Sequence, residues 1–318
     1  MNAFVTERET FEQKSSLLRV FEFARAWTLK GFDCDAVYFV GCGSSYNMSI
    51  SASKYFSKVL GVETKAMPAG EVIFAREENV SPGRKLAFLI SRTGNTTEVL
   101  LAAKELKEMG IRTVGLTIEG GSELVKVCDE HVVLPLEERA IVTTRAFSGM
   151  LLFLTILADK LAGTFESEVY ASLIDGIDKT LEESVSIVEE RRLDSHDYFV
   201  FLGMGVYEGI ARESLLKVQE MALCKGEAHS TLEYRHGPIA LAEPSVAVVV
   251  YEKNHEERRL AGELKGYGVT VVERESLDDG ERDGFVQVVF SHVLGLKLAK
   301  RKGINPDHPR HLSRTVSI

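Results

Sequence analysis

The chain has 318 residues, of which 45% are apolar and 27% are charged, and its formal net charge is −9. This length is typical of two domains, and the composition is that of an ordinary globular protein. The acidic balance argues against a nucleic-acid partner, because proteins of that class concentrate Lys and Arg on one face. An anionic substrate must therefore be bound locally, by backbone N–H groups and hydroxyls at one site.

The four cysteines form no C-x-x-C pair, and no His/Cys cluster has the spacing of a zinc site. They predict reduced thiols, and we expect neither a metal nor another cofactor. The N-terminus lacks the apolar core of a signal peptide. No apolar stretch reaches the roughly 18 residues that suggest a membrane span. We therefore expect a cytoplasmic protein that does not contact a membrane.

The first 30 residues have apolar side chains near helical spacing, and alternating strands and helices follow. The predicted strands of the first half are mostly apolar runs at 36–40, 63–67, 85–90, 112–118 and 131–136. The principal helices between and after them are predicted from the turn that ends at Ser45 to about residue 60, at 97–109 and at 145–161, the last one buried. Apolar strands that alternate with helices indicate a parallel sheet covered on both faces.

A helix predicted over 166–192, with an apolar stripe and a Glu-rich face, connects this half to a second one. There the pattern restarts, since YFVFLGMGV before a helix corresponds to VYFVGCGSS before a helix, and strands follow at 246–251, 269–272 and 286–290. We interpret this as an internal duplication. The predicted fold is α/β, with two tandem doubly wound parallel-sheet domains of three αβα layers. The predicted boundaries are a helical segment at 1–32, a first domain at 33–165, a connecting helix at 166–195, a second domain at 196–300 and a tail at 301–318.

The loop from Ser91 to Thr96 is the first candidate site. A strand ends before it and a helix begins after it, and the N-terminus of a helix offers unpaired N–H groups and positive charge to a phosphate. Four nearby hydroxyls add donors, and Gly94 permits a close backbone approach. The alternative is an ordinary N-cap, but a cap needs one hydroxyl. The loop residues that we predict to bind phosphate are Ser91, Arg92, Thr93 and Thr96.

The turn Gly41-Cys42-Gly43-Ser44-Ser45 is the second candidate. Glycines after a parallel strand suit a ligand at the carboxyl edge of the sheet. Tyr46 stands where a dinucleotide fingerprint needs a third glycine, and the chain has no P-loop motif, so binding of NAD or ATP is not supported. A tight turn without a ligand remains open on this motif alone.

Three charged residues of the second half, Glu213, Lys217 and Glu220, fall on one face of a predicted helix. A solvated stripe with an ion pair is one interpretation. The other is a proton-transferring carboxylate beside a cationic partner, because the helix starts at the carboxyl edge of the second predicted sheet. His236 lies before Gly-Pro, in a turn of the kind where functional groups concentrate, although a plain surface histidine fits equally.

The second half lacks the hydroxyl cluster, since Glu252 follows its strand where the first half has Ser91. We therefore expect one phosphate site in each chain.

Six motifs carry a resemblance to a known family: GCGSSY, SRTGNTTE, TTRAF, ESLLKVQEMALCKGEA, YRHGP and the ending NPDHPRHLSRTV. They resemble the tandem sugar isomerase (SIS) proteins, in particular the isomerase half of glutamine–fructose-6-phosphate aminotransferase and stand-alone glucosamine-6-phosphate deaminases. The resemblance extends from about residue 35 to the end of the chain and implies that both predicted domains are of the SIS type.

The resemblance assigns a role to each candidate residue. It implies that Ser91, Thr93 and Thr96 bind phosphate through their hydroxyls and that Glu220 moves a proton between C1 and C2. His236 would assist ring opening from the partner subunit of a homodimer. The sugar would be contacted by the loop that holds Cys42, Gly43, Ser44 and Ser45 and by Thr143, while Lys217 and Glu213 would be the helix neighbours of the base.

Two departures from the aminotransferase bear on the reaction. The sequence shows no glutaminase segment before the first half, so we do not expect it to make ammonia from glutamine. Arg314 stands where the aminotransferase has an imine-forming lysine, and a guanidinium stays protonated and forms no imine. We expect Arg314 to bind a sugar oxygen or to stabilise enolate charge.

The predicted function is therefore deamination of an amino-sugar phosphate, with glucosamine 6-phosphate and water giving fructose 6-phosphate and ammonia. The alternatives are a deglycase that splits a fructosamine 6-phosphate and a sugar-phosphate sensor without catalysis. The segment Ala140 to Thr144 would decide between deaminase and deglycase. A sensor would not need Glu220 and His236 together.

Overall fold

A computed structural model of the chain describes residues 3–316. The outermost residues of the predicted N-terminal segment and tail, 1–2 and 317–318, lie outside the described residues. The chain divides into two compact units. One contains a five-stranded sheet and the other a four-stranded sheet, and all strand pairs in both are parallel. We name them the five-stranded unit and the four-stranded unit.

The five-stranded unit comprises Ser15–Glu138, Arg145–Ser167 and the residues from Ser313 onward. Its strands have the order β2-β1-β3-β4-β5 and are β1 Ala36–Gly41, β2 Glu63–Pro68, β3 Lys85–Ile90, β4 Arg112–Thr117 and β5 Glu130–Val133. Its helices are α2 Gln13–Ala26, which begins just before the unit, α3 Ser44–Leu60, α4 Ala69–Phe74, α5 Arg76–Asn79, α6 Thr97–Glu108, α7 Glu123–Val127 and α8 Arg145–Ala162.

Side chains of this sheet alternate between two buried faces, as the period of a strand requires. Val40 and Leu89 belong to a core cluster that includes Ala103 and Leu106 of α6. Phe39 points the other way, where its ring lies 4.9 Å from that of Phe56 on α3. The sheet is therefore covered on both faces, and the buried helix predicted near 145–161 is confirmed as α8.

The four-stranded unit comprises the described residues up to Lys14, then Arg139–Thr144 and Glu168–Leu312. Its strands have the order β7-β6-β8-β9 and are β6 Tyr198–Gly203, β7 Lys225–His229, β8 Val246–Glu252 and β9 Thr270–Glu275. Its α-helices are α1 Val5–Phe11, α9 Ser167–Asp175, which begins just before the unit, α10 Ile177–Glu190, α11 Val206–Ala222, α12 His255–Gly266, α13 Gly284–Gln287 and α14 Val289–Lys302. Three short 3₁₀ helices cover Leu193–Ser195, Thr231–His236 and Pro238–Leu241.

Two elements predicted for the second half differ from this structure, and one strand was not predicted. The strand predicted at 286–290 is wrong, because these buried residues span the end of α13, the turn at Val288 and the start of α14. A short apolar run does not distinguish a buried strand from a buried helix. The helix predicted over 166–192 is divided at Gly176 into α9 and α10. Strand β7 was not predicted, since its sequence KGEAH is polar and its residues lie half-exposed at the edge of the sheet.

Candidate active site

The strand order of the five-stranded sheet reverses between β1 and β3, which pair with each other. Ligands of doubly wound sheets bind in the crevice beyond the carboxyl ends of the strands at such a reversal. The predicted sugar-contacting turn after β1 and the predicted phosphate loop after β3 both leave the sheet there. The structure thus brings together two candidate segments that lie about 45 residues apart in sequence.

The hydroxyls of the phosphate loop bond within the loop rather than cap the helix. Ser91 Oγ lies 3.1 Å from Thr96 Oγ1 and accepts a hydrogen bond of 3.0 Å from Gly94 N–H. Thr96 occupies the N-cap of α6, yet its side chain makes no capping bond within the described chain. This arrangement disfavours an ordinary side-chain N-cap, although the N–H group of Thr97 donates a hydrogen bond of 3.4 Å to the carbonyl oxygen of Val316. The N-terminus of a helix attracts an anion through its remaining N–H groups and its dipole.

Gly94 fixes the path of this loop. Its φ is +62°, and a Cβ at this position would lie 2.1 Å from Ser122 Oγ. Because a left-handed backbone and a close side-chain neighbour coincide, glycine is required here. The loop is therefore built to one tight shape.

Arg92 does not present a free cation to this loop. Its Nη1 donates a hydrogen bond of 2.8 Å to Glu138 Oε2, and the side chains of Arg92 and Glu138 are only 8% and 0% exposed. The other carboxylate oxygen of Glu138 accepts a hydrogen bond of 3.0 Å from Ala146 N–H, at the start of α8. A phosphate in the loop would thus meet neutral donors and the helix end, because the charge of Arg92 is balanced by Glu138.

Arg314 reaches the same region from the tail. Its Nη2 donates hydrogen bonds of 2.8 Å to Glu119 Oε1 and 2.6 Å to the carbonyl oxygen of Glu138. The next residue, Thr315, places its hydroxyl 3.3 Å from Thr93 Oγ1. These contacts border a cavity of about 310 Å³ that is lined by Thr93, Asn95, Glu119, Gly121, Ser122, Arg314 and Thr315.

The turn after β1 is equally constrained. A Cβ on Gly41 would lie 2.7 Å from the backbone carbon of Ser45, and Gly43 has φ +53°. Burial, together with the nearby Glu98 carboxylate, raises the pKa of the Cys42 thiol to about 11. This thiol stays protonated near neutral pH, so Cys42 is not activated as a nucleophile.

The charged face of α11 is buried, which excludes the solvated stripe. Lys217 Nζ lies 3.2 Å from Glu213 Oε1 and donates a hydrogen bond of 2.5 Å to Glu220 Oε2. The side chains of Lys217 and Glu213 are fully buried, whereas that of Glu220 is 17% exposed. Burial alone would lower the pKa of Lys217, but the two carboxylates outweigh it and raise that pKa. The cluster therefore holds a permanent cation beside a carboxylate that solvent can reach.

Helix α14 places a histidine that sequence reasoning missed near this cluster. His292 is fully buried, and burial together with the Lys217 charge lowers its pKa to about 3, so the ring is neutral. The two helices pack closely, because a Cβ on Gly295 would lie 2.7 Å from Met221 Sδ. The only sequence signal was one histidine in an apolar run, which usually indicates a satisfied core residue.

His236 ends the 3₁₀ helix Thr231–His236 in the four-stranded unit and is exposed. The following Gly237 has φ +138°, which a residue with a side chain rarely adopts. Within one chain this placement fits both a surface histidine and a residue that serves a partner subunit, so the predicted role remains a prediction. Thr143 lies in the segment Arg139–Thr144 of the same unit.

The corresponding loop of the four-stranded unit is filled by the chain itself. Glu257 is fully buried and accepts hydrogen bonds from Lys253 N–H at 3.0 Å, Asn254 Nδ2 at 2.8 Å and Thr231 Oγ1 at 2.6 Å. The Asn254 side chain also caps α12 by accepting from the N–H groups of Glu256 and Glu257. An internal carboxylate thus stands where the first loop leaves a helix end available to an anion.

The structure describes the side chains and helices of residues 3–316. No group of three or more His, Cys, Asp or Glu side chains in that part of the chain is arranged to hold a metal ion. None of the helices described there combines the length and apolar character needed to cross a membrane.

Comparison with known proteins matches these features to one family. Residues 32–158, which contain the five-stranded sheet, match the family model for the SIS domain. The crystal structure of glucosamine-6-phosphate deaminase from Thermotoga maritima is 42% identical, covers 98% of this chain and 99% of its own, and superimposes with a TM-score of 0.90.

Two curated relatives are glutamine–fructose-6-phosphate aminotransferases. The Fusobacterium nucleatum protein is 28% identical over 90% of this chain, and the Helicobacter pylori protein is 26% identical over 98% of it. The chain spans 52% and 58% of their lengths, so it corresponds to about half of each. The chain belongs to the SIS-domain family of sugar-phosphate isomerase-type proteins.

Proposed function

We propose that this chain is an enzyme that deaminates an amino-sugar phosphate, and that glucosamine 6-phosphate and water give fructose 6-phosphate and ammonia. The observation that carries the proposal is the buried Lys217, which holds the solvent-accessible carboxylate of Glu220 at 2.5 Å. The ion pair holds this carboxylate in a fixed orientation while leaving it accessible to a ligand, and a positioned carboxylate is a suitable general base. The name of the similar Thermotoga maritima protein supports the choice of substrate.

The phosphate group is assigned to the loop Ser91 to Thr96. The N-terminus of α6, which has no side-chain cap, the hydroxyls of the loop and its tight path around Gly94 support this assignment. Since Arg92 is already paired with Glu138, the loop recognises the phosphate group through oriented neutral donors. Glu257 supports one phosphate site in each chain, because the matching loop of the four-stranded unit is already occupied by that carboxylate.

The reaction on the opened sugar begins with proton transfer. Glu220 removes the proton from C2 of the aldehyde, and the electron pair forms the C1–C2 double bond while the C1 oxygen takes up negative charge or a proton. Return of a proton to C1 gives an imine at C2. Water adds to C2, the C–N bond breaks and ammonia leaves, so that a ketone remains. No electrons are gained or lost overall, and no cofactor is needed.

Arg314 and His236 take the remaining roles. A guanidinium stays protonated, so Arg314 stabilises negative charge on a sugar oxygen and forms no imine with the ketose. Glu119 and the Glu138 carbonyl, which accept hydrogen bonds from Arg314 Nη2, support a fixed position for it. His236 assists ring opening in a homodimer, a role to which its exposure in one chain is suited.

The four-stranded unit is the second domain of the SIS type in this proposal. Its strand order, with the reversal between β6 and β8, parallels that of the first unit. Gly203-Met204-Gly205 follows β6 as Gly41-Cys42-Gly43 follows β1, and φ is +60° at Gly205 and +53° at Gly43.

The test is an ammonia-release assay over amino-sugar phosphates and fructosamine phosphates with the full chain. The wild type releases ammonia from glucosamine 6-phosphate, and Glu220→Gln lowers the rate by about 10²–10⁴-fold. Glu208→Gln is the control, since Glu208 lies on the same helix and pairs with Arg212 at 3.1 Å. Release of amino acids from fructosamine 6-phosphates alone would instead establish the deglycase. Binding without any turnover would establish the sensor.

A further inference from the structure

Glu9 of helix α1 binds the backbone of the segment 139–144, which lies about 130 residues later in the chain. Glu9 is 4% exposed. Its Oε1 accepts a hydrogen bond of 2.7 Å from Arg139 N–H, and its Oε2 accepts one of 3.0 Å from Ala140 N–H. The carboxylate therefore binds two consecutive backbone amides, which is a charge-assisted and geometrically specific contact.

The helix that carries Glu9 is itself anchored. Asp307 accepts hydrogen bonds from Val5 N–H at 2.7 Å and Thr6 N–H at 2.8 Å, and a third from the Thr6 hydroxyl at 2.7 Å. Lys300, in the last turn of α14, forms an ion pair with Glu7. A helix of seven residues would not be stable alone, so these contacts fix the position from which Glu9 acts.

The segment that Glu9 holds has no helix or strand of its own. Residues 139–144 run between β5 and α8 without regular structure and contain Thr143. The backbone of such a segment takes its position from specific side-chain contacts rather than from a hydrogen-bonded ladder. The two amides bound by Glu9 lie three and four residues before Thr143.

We propose that Glu9 is a positioning residue that fixes segment 139–144, so that Thr143 meets the sugar of the substrate. This inference rests on the proposed function, because that function supplies the sugar. Glu9 itself touches neither phosphate nor sugar in this account. Its loss therefore weakens recognition of the sugar and leaves recognition of inorganic phosphate unchanged.

Glutamine at position 9 cannot reproduce the contact. A carboxylate offers acceptors to both amides, whereas a side-chain amide offers one acceptor and turns its NH₂ donors toward the second N–H group. Glu9→Gln thus keeps the volume and removes one hydrogen bond. Glu12→Gln makes the same chemical change at an exposed position just after α1 and serves as the control.

The experiment measures amide hydrogen exchange and ligand affinity in the full chain. In Glu9→Gln, the amides of Arg139 and Ala140 exchange faster than in the wild type, while amides of β6 and β8 keep their protection. The dissociation constant for fructose 6-phosphate rises about tenfold, as expected for one lost charge-assisted hydrogen bond, and that for inorganic phosphate stays constant. Glu12→Gln behaves as the wild type in each measurement.

Three results would overturn the inference: unchanged exchange at Arg139 and Ala140, unchanged affinity for fructose 6-phosphate, or an equal loss for fructose 6-phosphate and inorganic phosphate. If Glu9→Gln does not fold, Glu9→Asp is measured instead. Its shorter side chain keeps the charge but weakens the two hydrogen bonds to the amides of Arg139 and Ala140. The same three results would overturn the inference. A wild type that binds inorganic phosphate but no sugar phosphate would refute the proposed function as well. A wild type that binds both, with no change in the variant, would refute the role of Glu9 alone.

Discussion

Arg92 donates a hydrogen bond of 2.8 Å to Glu138, and both side chains are buried. Removal of one partner leaves an uncompensated buried charge, which costs about 3–5 kcal/mol. We expect Arg92→Met and Glu138→Gln each to destabilise the protein strongly, and the double variant to lose about 2–3 kcal/mol less than the two losses added together. Urea unfolding of the four proteins measures this coupling. Additive losses would show that the pair is not an energetic unit.

Substitutions at Gly94 and Gly110 distinguish the cost of backbone strain alone from the cost of disrupting the phosphate loop. Their φ values are +62° and +75°, but only a Cβ on Gly94 meets a neighbour within 4 Å. Gly110→Ala should cost about 1 kcal/mol and leave phosphate binding intact. Gly94→Ala should cost about 1–3 kcal/mol and abolish that binding, because Ser122 must move. Calorimetric titration with inorganic phosphate checks both variants, and retained affinity in Gly94→Ala would remove this loop as the site.

Glu257 keeps the second loop closed to anions in this account. Glu257→Ala leaves one buried donor and two part-buried donors without their acceptor and should lower the free energy of unfolding by about 2–4 kcal/mol. Inorganic phosphate should then raise the Tm of this variant more than that of the wild type, since it replaces the lost acceptor. Glu263→Ala changes a partly exposed carboxylate of the same helix and serves as the control. Equal phosphate effects in all three proteins would contradict this interpretation.

Glu252 gives the stability of the protein a specific pH dependence. Its side chain is 1% exposed, and burial, with the nearby Glu273 carboxylate, raises its pKa from 4.5 to about 7. The folded state therefore binds more protons than the unfolded state between these two values, and stability falls as the pH rises through that window. Glu252→Gln removes this fall, so its advantage over the wild type should grow from pH 4 to pH 8, by about 3 kcal/mol at most. A constant difference in urea unfolding across that range would contradict the prediction.

Much of the fold could be predicted from apolar periodicity. Strand β3 matches its predicted bounds, and helix α3 ends where it was predicted to end and begins within the predicted turn, since both carry strong patterns between clear turn signals. Strand β7 could not be predicted, because pairing with β6 rather than apolar content holds its polar residues in the sheet. The prediction at 286–290 was wrong for the opposite reason. These residues are completely buried, so they lack the polar face by which a helix is recognised in a sequence.

The candidate site could be predicted where the chemistry is local. The Ser91 loop lies within one turn, and its hydroxyls and glycine are sufficient to predict it from the sequence. The role of Glu138 could not be predicted, because its partner Arg92 is 46 residues away and no sequence motif contains both residues. Glu9 acts over a separation of 130 residues, and only the tertiary structure shows which amides it binds.

The central claim is that Glu220 moves the proton between C1 and C2 of a bound sugar phosphate. Exchange of a C1 hydrogen of fructose 6-phosphate with D₂O, followed by NMR, tests it directly and does not depend on ammonia. The wild type and Glu208→Gln should exchange, whereas Glu220→Gln should bind fructose 6-phosphate and lose at least about 10²-fold in exchange rate. Exchange at the wild-type rate by a folded Glu220→Gln would contradict the account.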